Sequence, residues 1–169
     1  MNYKIKYNED AIDPRSWDNT TKMVCFHKRY DLGDDLGYKP LDYNSWDELK
    51  KQLHKDYDIA IIEPLYMYDH SGVSLSTTPF GCRWDSFQIG FIFIERKVLY
   101  EKYNCKRITS RIKMLGKLAL ENELNTYGSY LNGEVYIIED EDGEFAEGDY
   151  YGLEEAENRI KELEVELQY

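Results

Sequence analysis

Within three consecutive positions, Asp69, His70 and Ser71 supply a carboxylate, an imidazole and a hydroxyl, followed by Gly72. These are the groups of nucleophilic hydrolysis, with His70 as the general base. A hydrolase acting on a nucleotide or nucleic acid could be centred on this loop and on the Cys82 to Asp85 segment beyond it. Neighbouring residues do not form a proton relay, however, because catalytic triads are assembled from separate elements. The reading preferred from the residues is a turn whose Asp, His and Ser side chains bond nearby backbone groups.

Metal and nucleotide chemistry fare no better. Cys25 and His27 alternate so that both side chains share one strand face, and Cys82 and His70 could complete a set, but no second closely spaced pair exists. Asp31, Asp34 and Asp35 lack EF-hand spacing, as does the run from Glu139 to Glu144. Neither a GxGxxG nor a GxxxxGK[ST] pattern is present. The expectation is a protein without catalytic residues, metal or cofactor.

Charge is the more informative chemistry. From Glu139 to Tyr169 there are thirteen acids and two bases, net −11, whereas residues 1–138 hold twenty acids and nineteen bases. Glu139, Asp140, Glu141, Asp142, Glu144, Glu147 and Asp149 form the densest part. Closely spaced carboxylates can stand in for phosphates against a Lys/Arg-lined groove and claim the counterion release that drives nucleic-acid binding. The competing reading is a hairpin and helix whose acids are simply solvated. Either way, such a field repels nucleic acid and attracts a basic protein.

One basic segment opposes it. Arg96, Lys97, Lys102, Lys106, Arg107, Arg111, Lys113 and Lys117 fall within twenty-two residues that also contain Tyr100 and Tyr103. Basic stretches with aromatics can bind nucleic acid. With an overall charge of −12, neutralisation of the acidic end, within one chain or across a dimer, is the preferred reading.

The elements that must position these groups read as follows. Tyr3 to Tyr7 suits an edge strand and Met23 to His27 a buried one. Ser45 with Glu48 forms a capping box for a helix to about Lys55, burying Trp46, Leu49 and Leu53. Asp58 to Tyr68 reads as a central strand losing regularity at Pro64, and Gln88 to Glu95 as the strongest strand. The irregular stretch between them contains a short alternating piece, Val73 to Thr77. Arg96 to Tyr103 is a short helix and Thr109 to Tyr130 a long one, whose apolar face shifts near Gly116 to Leu120 and whose end is marked by Asn132-Gly133. Glu134 to Glu139 and Glu144 to Tyr151 flank an Asp-Gly turn, as in a hairpin. A final amphipathic helix from Leu153 to Leu167 either lies on the sheet or forms a dimer seam.

The sum is a single α+β domain over residues 1–169, mainly antiparallel, with three or four helices. Its length suffices for one core, and 42% hydrophobic residues exclude wholesale disorder. Three dispersed cysteines and an N-terminus without an apolar signal region suggest reduced thiols and a cytoplasmic protein. The longest apolar stretch, Ile89 to Ile94, is far short of the roughly 20 residues a membrane span needs.

Three blocks carry a resemblance: PRSWDNTTKMVCFHKRYDLGD from Pro14, PLYMYDHSGVSLSTTPFGCRWDSFQIGFIFI from Pro64, and YLNGEVYIIEDEDG from Tyr130. In them the chain resembles an uncharacterised family of accessory proteins carried by bacteriophages, plasmids and conjugative elements. The resemblance implies no catalytic residue. It implies an accessory role in a bacterial host, with counter-defence (anti-CRISPR or anti-restriction) as a leading class. The expected partner is then a host defence nuclease with a basic groove, met by the acidic hairpin, with a dimeric regulatory or scaffold protein as the alternative.

Overall fold

A computed structural model of the chain describes residues 3–81 and 86–166. Among them are seven strands in two antiparallel sheets and four α-helices, an α+β fold. The chain is organised as two compact units, Trp17–Leu124 and the pair of segments Met1–Ser16 and Asn125–Tyr169. Leu124 and Asn125 are consecutive residues inside one helix, so no change of composition marks the boundary.

The larger unit is built on a four-stranded sheet. Its strands are β2 (Lys22–Cys25), β3 (Ile59–Asp69), β4 (Val73–Ser76) and β5 (Ser86–Glu95), in the order β2-β5-β3-β4. From Ile89 onward every residue of β5 is buried, as a strand covered on both faces must be. On one face Phe91 and Phe93 join Val24 and Ile59 under helix α1 (Trp46–Asp56), which contributes Leu49 and Leu53. On the other, Ile61 and Ile94 meet helices α2 (Arg96–Lys102) and α3 (Ser110–Leu131) around Leu99 and Gly116. Ile59 and Ile61 serve opposite faces although two residues apart, because the pairing with β5 shifts register between them.

Several local expectations meet their physical reason here. Ser45 caps α1 by accepting from the Glu48 N–H at 3.3 Å. The Glu48 carboxylate, however, returns to the backbone and side-chain nitrogens of Asn44 rather than to Ser45 itself. Strand β3 runs on through Pro64, since β4 pairs only with Tyr66–Asp69 and Pro64 has just one strand neighbour, at Phe91. The irregularity falls one residue later, between Leu65 and Tyr66. Helix α3 is uninterrupted, and its buried row is Gly116, Leu120 and Leu124, with Tyr127 buried in the other unit. A glycine does not register as apolar, which is why the sequence shows a break of face at that point. Gly133, with φ +68, closes the helix as anticipated.

Glu123 of α3 holds the chain entering β2. Its carboxylate accepts from the Thr20 N–H (2.8 Å), the Thr21 N–H (3.1 Å) and the Thr21 hydroxyl (2.6 Å). Both threonines are buried, so no water replaces the acceptor easily. Glu123→Ala is expected to cost about 3 kcal/mol by stranding those donors. Glu121→Ala, exposed on the same helix, should stay within about 0.5 kcal/mol of wild type. Urea unfolding of the two variants side by side measures the difference.

The smaller unit carries the sheet β1-β6-β7, from β1 (Lys4–Tyr7), β6 (Val135–Glu139) and β7 (Phe145–Tyr151). Strand β1 is an edge, as its short alternation suggested, and its lysines blunt that edge. Helix α4 (Leu153–Glu166) packs on β6 and β7 and buries Ala156 completely. It therefore lies on its sheet; Leu167, the last of its apolar series, is outside the described residues.

Candidate functional site

The Asp69 to Gly72 segment is the turn between β3 and β4. Asp69 and Val73 are the last paired residues, His70 N–H donates to the Gly72 carbonyl at 3.2 Å, and Ser71 takes a left-handed φ of 58. The Asp69 carboxylate accepts from the Arg29 guanidinium at 2.7 Å and the Tyr30 hydroxyl at 3.3 Å. None of the Asp69, His70 and Ser71 side chains hydrogen-bonds another, and the His70 ring lies beside Tyr68 with centroids 6.1 Å apart. The segment Cys82 to Asp85 is outside the described residues.

His27 has a local role as well. Its Nδ1 accepts from the N–H groups of Arg29 (3.2 Å) and Tyr30 (3.1 Å), and its ring stacks on Tyr30 and Phe87. That lone pair holds a turn. Among the described residues no three His, Cys, Asp or Glu side chains gather in a metal-holding group. Asp34 and Asp35 likewise accept backbone N–H groups, those of Met23 and Gly37.

The structure divides the seven acids of the hairpin segment into three held along the strands and four at the turn. Glu139 is tied to Lys6 of the neighbouring strand, and its side chain is 13% exposed. Its Oε2 is buried against the Lys6 ammonium, which compensates its charge. Glu147 faces α4, where Arg159 grips it with two bonds of 2.7 and 2.8 Å, and the Tyr150 hydroxyl also donates to it. These bonds from Arg159 and Tyr150 draw the Glu147 carboxyl down to about 2, and burial with the carboxylate pushes Tyr150 up to about 12. Asp149 sits at φ 64 as the extra residue of a bulge opposite Tyr136 and Ile137, accepting from the Asn8 amide.

The remaining four make the tip. Asp140 Oδ1 accepts from the N–H groups of Asp142 (3.1 Å) and Glu144 (3.0 Å). Gly143 N–H closes the turn on the Asp140 carbonyl at 3.1 Å, with φ +80 as the Asp-Gly pattern foretold. Glu141, Asp142 and Glu144 are exposed, and their carboxylates have no ion pair or hydrogen bond among the described residues. A structured turn thus presents three negative groups to solvent.

The basic segment divides similarly. Arg96 pairs with Asp58 at 3.0 Å, Lys97 with Glu95 at 3.4 Å and Lys117 with Glu63 at 2.6 Å, while Lys102 donates to the Thr20 hydroxyl. Lys106, Arg107, Arg111 and Lys113 are exposed and make no such contact among the described residues. Their side chains remain available.

No family model, curated protein or solved structure matches the chain. Among the described residues no helix is long and apolar enough to cross a membrane. Composition alone concealed the counterions of the acidic end. Arg159 serves Glu147, Glu162 and Glu166 together, and its rarity, one of two bases among thirteen acids, is the signal that could have marked it.

Proposed function

We propose that this chain is an anti-defence protein of a mobile element. It binds a host nuclease, a CRISPR effector or a restriction complex, and blocks the nuclease's nucleic-acid groove with an acidic surface. The observation that supports this most directly is the turn at Asp140, whose carboxylate braces the backbone under the exposed Glu141, Asp142 and Glu144. A braced turn loses little further freedom on binding, and carboxylates against Lys or Arg make charge-assisted bonds. Glu139, Glu147 and Asp149 support the hairpin from within, through Lys6, Arg159 and Asn8, and contribute field rather than contact. The sequence resemblance to mobile-element accessory proteins supports the class of partner.

Neutralising Glu141, Asp142 and Glu144 together (E141Q, D142N, E144Q) is expected to weaken inhibition of the target nuclease by roughly 100-fold. The dependence of affinity on salt should become shallower at the same time. Cleavage assays and binding isotherms at several salt concentrations measure both. Inhibition that is undiminished and indifferent to salt would rule out phosphate mimicry by this turn.

A further inference from the structure

Between Lys106 and Lys117 lie five bases and no acid, in a chain whose net charge is −12. Four of them, Lys106, Arg107, Arg111 and Lys113, have no partner among the described residues. Met114 and Leu118, one helical turn apart on α3, are 64% and 53% exposed and line a shallow groove with Lys113, Leu115 and Lys117, closed at its C-terminal end by Glu121. Exposed apolar side chains set within a cationic face call for a ligand that is acidic and apolar at once. A phosphate backbone meets the cations and leaves Met114 and Leu118 uncovered.

The chain itself contains such a ligand. On α4, Glu154, Glu157 and Glu164 are exposed and unpaired among the described residues, with Lys161, whose ammonium donates to the Asn158 side chain, between the last two; Leu153 and Val165 are 47% and 54% exposed near its two ends. The fourteen helical residues of α4 extend about 21 Å, enough to span the groove-lining stretch of α3 from Ser110 to Glu121, about 18 Å.

We propose that the chain self-associates, the outward acidic face of α4 from one copy docking on the Arg111 to Leu118 face of α3 of a second. Every copy carries both halves, so two copies that engage reciprocally make the contact twice. The apolar side chains supply area and the charges supply orientation, so association weakens as salt shortens the screening length. This contact is separate from the Asp140 turn and does not depend on the function proposed above.

The test is a charge swap read by analytical ultracentrifugation across concentration and salt, with circular dichroism as the control of folding. The wild-type chain is expected to dimerise in the micromolar range at low salt, with affinity falling at least roughly tenfold as salt rises from about 50 to about 500 mM. R111E/K113E alone and E157K/E164K alone should be monomeric. An equimolar mixture of the two should recover a dimer, since both contacts then pair opposite charges. All four positions are exposed, so both variants retain the fold. A wild-type chain that stays monomeric at low salt overturns the proposal, as does either variant dimerising alone or a mixture that fails to associate. A labelled DNA duplex bound by monomeric wild type and not by R111E/K113E would reassign the face to phosphate.

Discussion

Gly90→Ala is expected to prevent the larger unit from folding. A Cβ at Gly90 would stand 1.8 Å from the carbonyl oxygen of Val24, 2.8 Å from its carbonyl carbon and 3.0 Å from the Cα of Cys25. All three are backbone atoms of β2, the strand paired with β5 at Cys25 and Gly90, so no side-chain rotation relieves the overlap. Strand β2 would have to leave the sheet, exposing Met23, Val24 and the faces of Phe91 and Ile92 they cover. The expected loss is about 4–5 kcal/mol, the exceptional end for one substitution and comparable to the whole stability of a modest domain. Gly37→Ala is the matched control. Gly37 has φ +80 and open space around its missing Cβ, so only left-handed backbone strain applies, about 1 kcal/mol. Guanidinium unfolding followed by near-ultraviolet circular dichroism separates the two, and a well-folded Gly90→Ala would refute the close approach of these strands.

Arg159→Met is expected to flatten the acid unfolding of the smaller unit and lower its stability at neutral pH. Arg159 binds Glu147, Glu162 and Glu166, and the three carboxylates in turn hold its guanidinium protonated. In the folded chain Glu147 titrates at about 2, against an ordinary 4.5, because Arg159 and then Tyr150 bond its charged form. A group depressed in this way stabilises the fold fully above about 4.5, and that contribution disappears as pH falls towards about 2. Thermal midpoints from pH 7 to pH 2 should therefore fall through this window for wild type. In Arg159→Met most of that dependence should be gone, with the part owed to Tyr150 remaining. Identical pH profiles would mean that Arg159 is not what lowers Glu147.

The seven-acid cluster shows how far sequence reading carries a site. Spacing alone could place Glu139 to Asp149 on one hairpin with an Asp-Gly turn, and the strands and turn are where it put them. It could not divide the acids. Two register shifts between β6 and β7 break the strict alternation, so Glu147 turns to Arg159 and Asp149 falls on a bulge. The counterions come from far along the chain, Lys6 from β1 and Arg159 from α4, and no local pattern announces them. The Asp69 to Ser71 triplet teaches the same lesson from the other side. Its turn was legible, whereas the use of Asp69 by Arg29 and Tyr30 depends on a segment forty residues earlier.

By itself the sequence determined the α+β class, the elements and most of their ends, and the concentration of negative charge beyond residue 138. These follow from periodicity, caps and composition, which act over a few residues or over the whole chain regardless of contacts. Tertiary structure alone decided which charges remain exposed. It also decided that Gly90 and Gly116 are points of close packing. The reason is the same in each case: ion pairing, steric approach and burial are relations between groups distant in sequence, and they exist only once the chain has folded. The acidic turn was legible as charge, but only its folded surroundings leave Glu141, Asp142 and Glu144 exposed with no ion pair among the described residues.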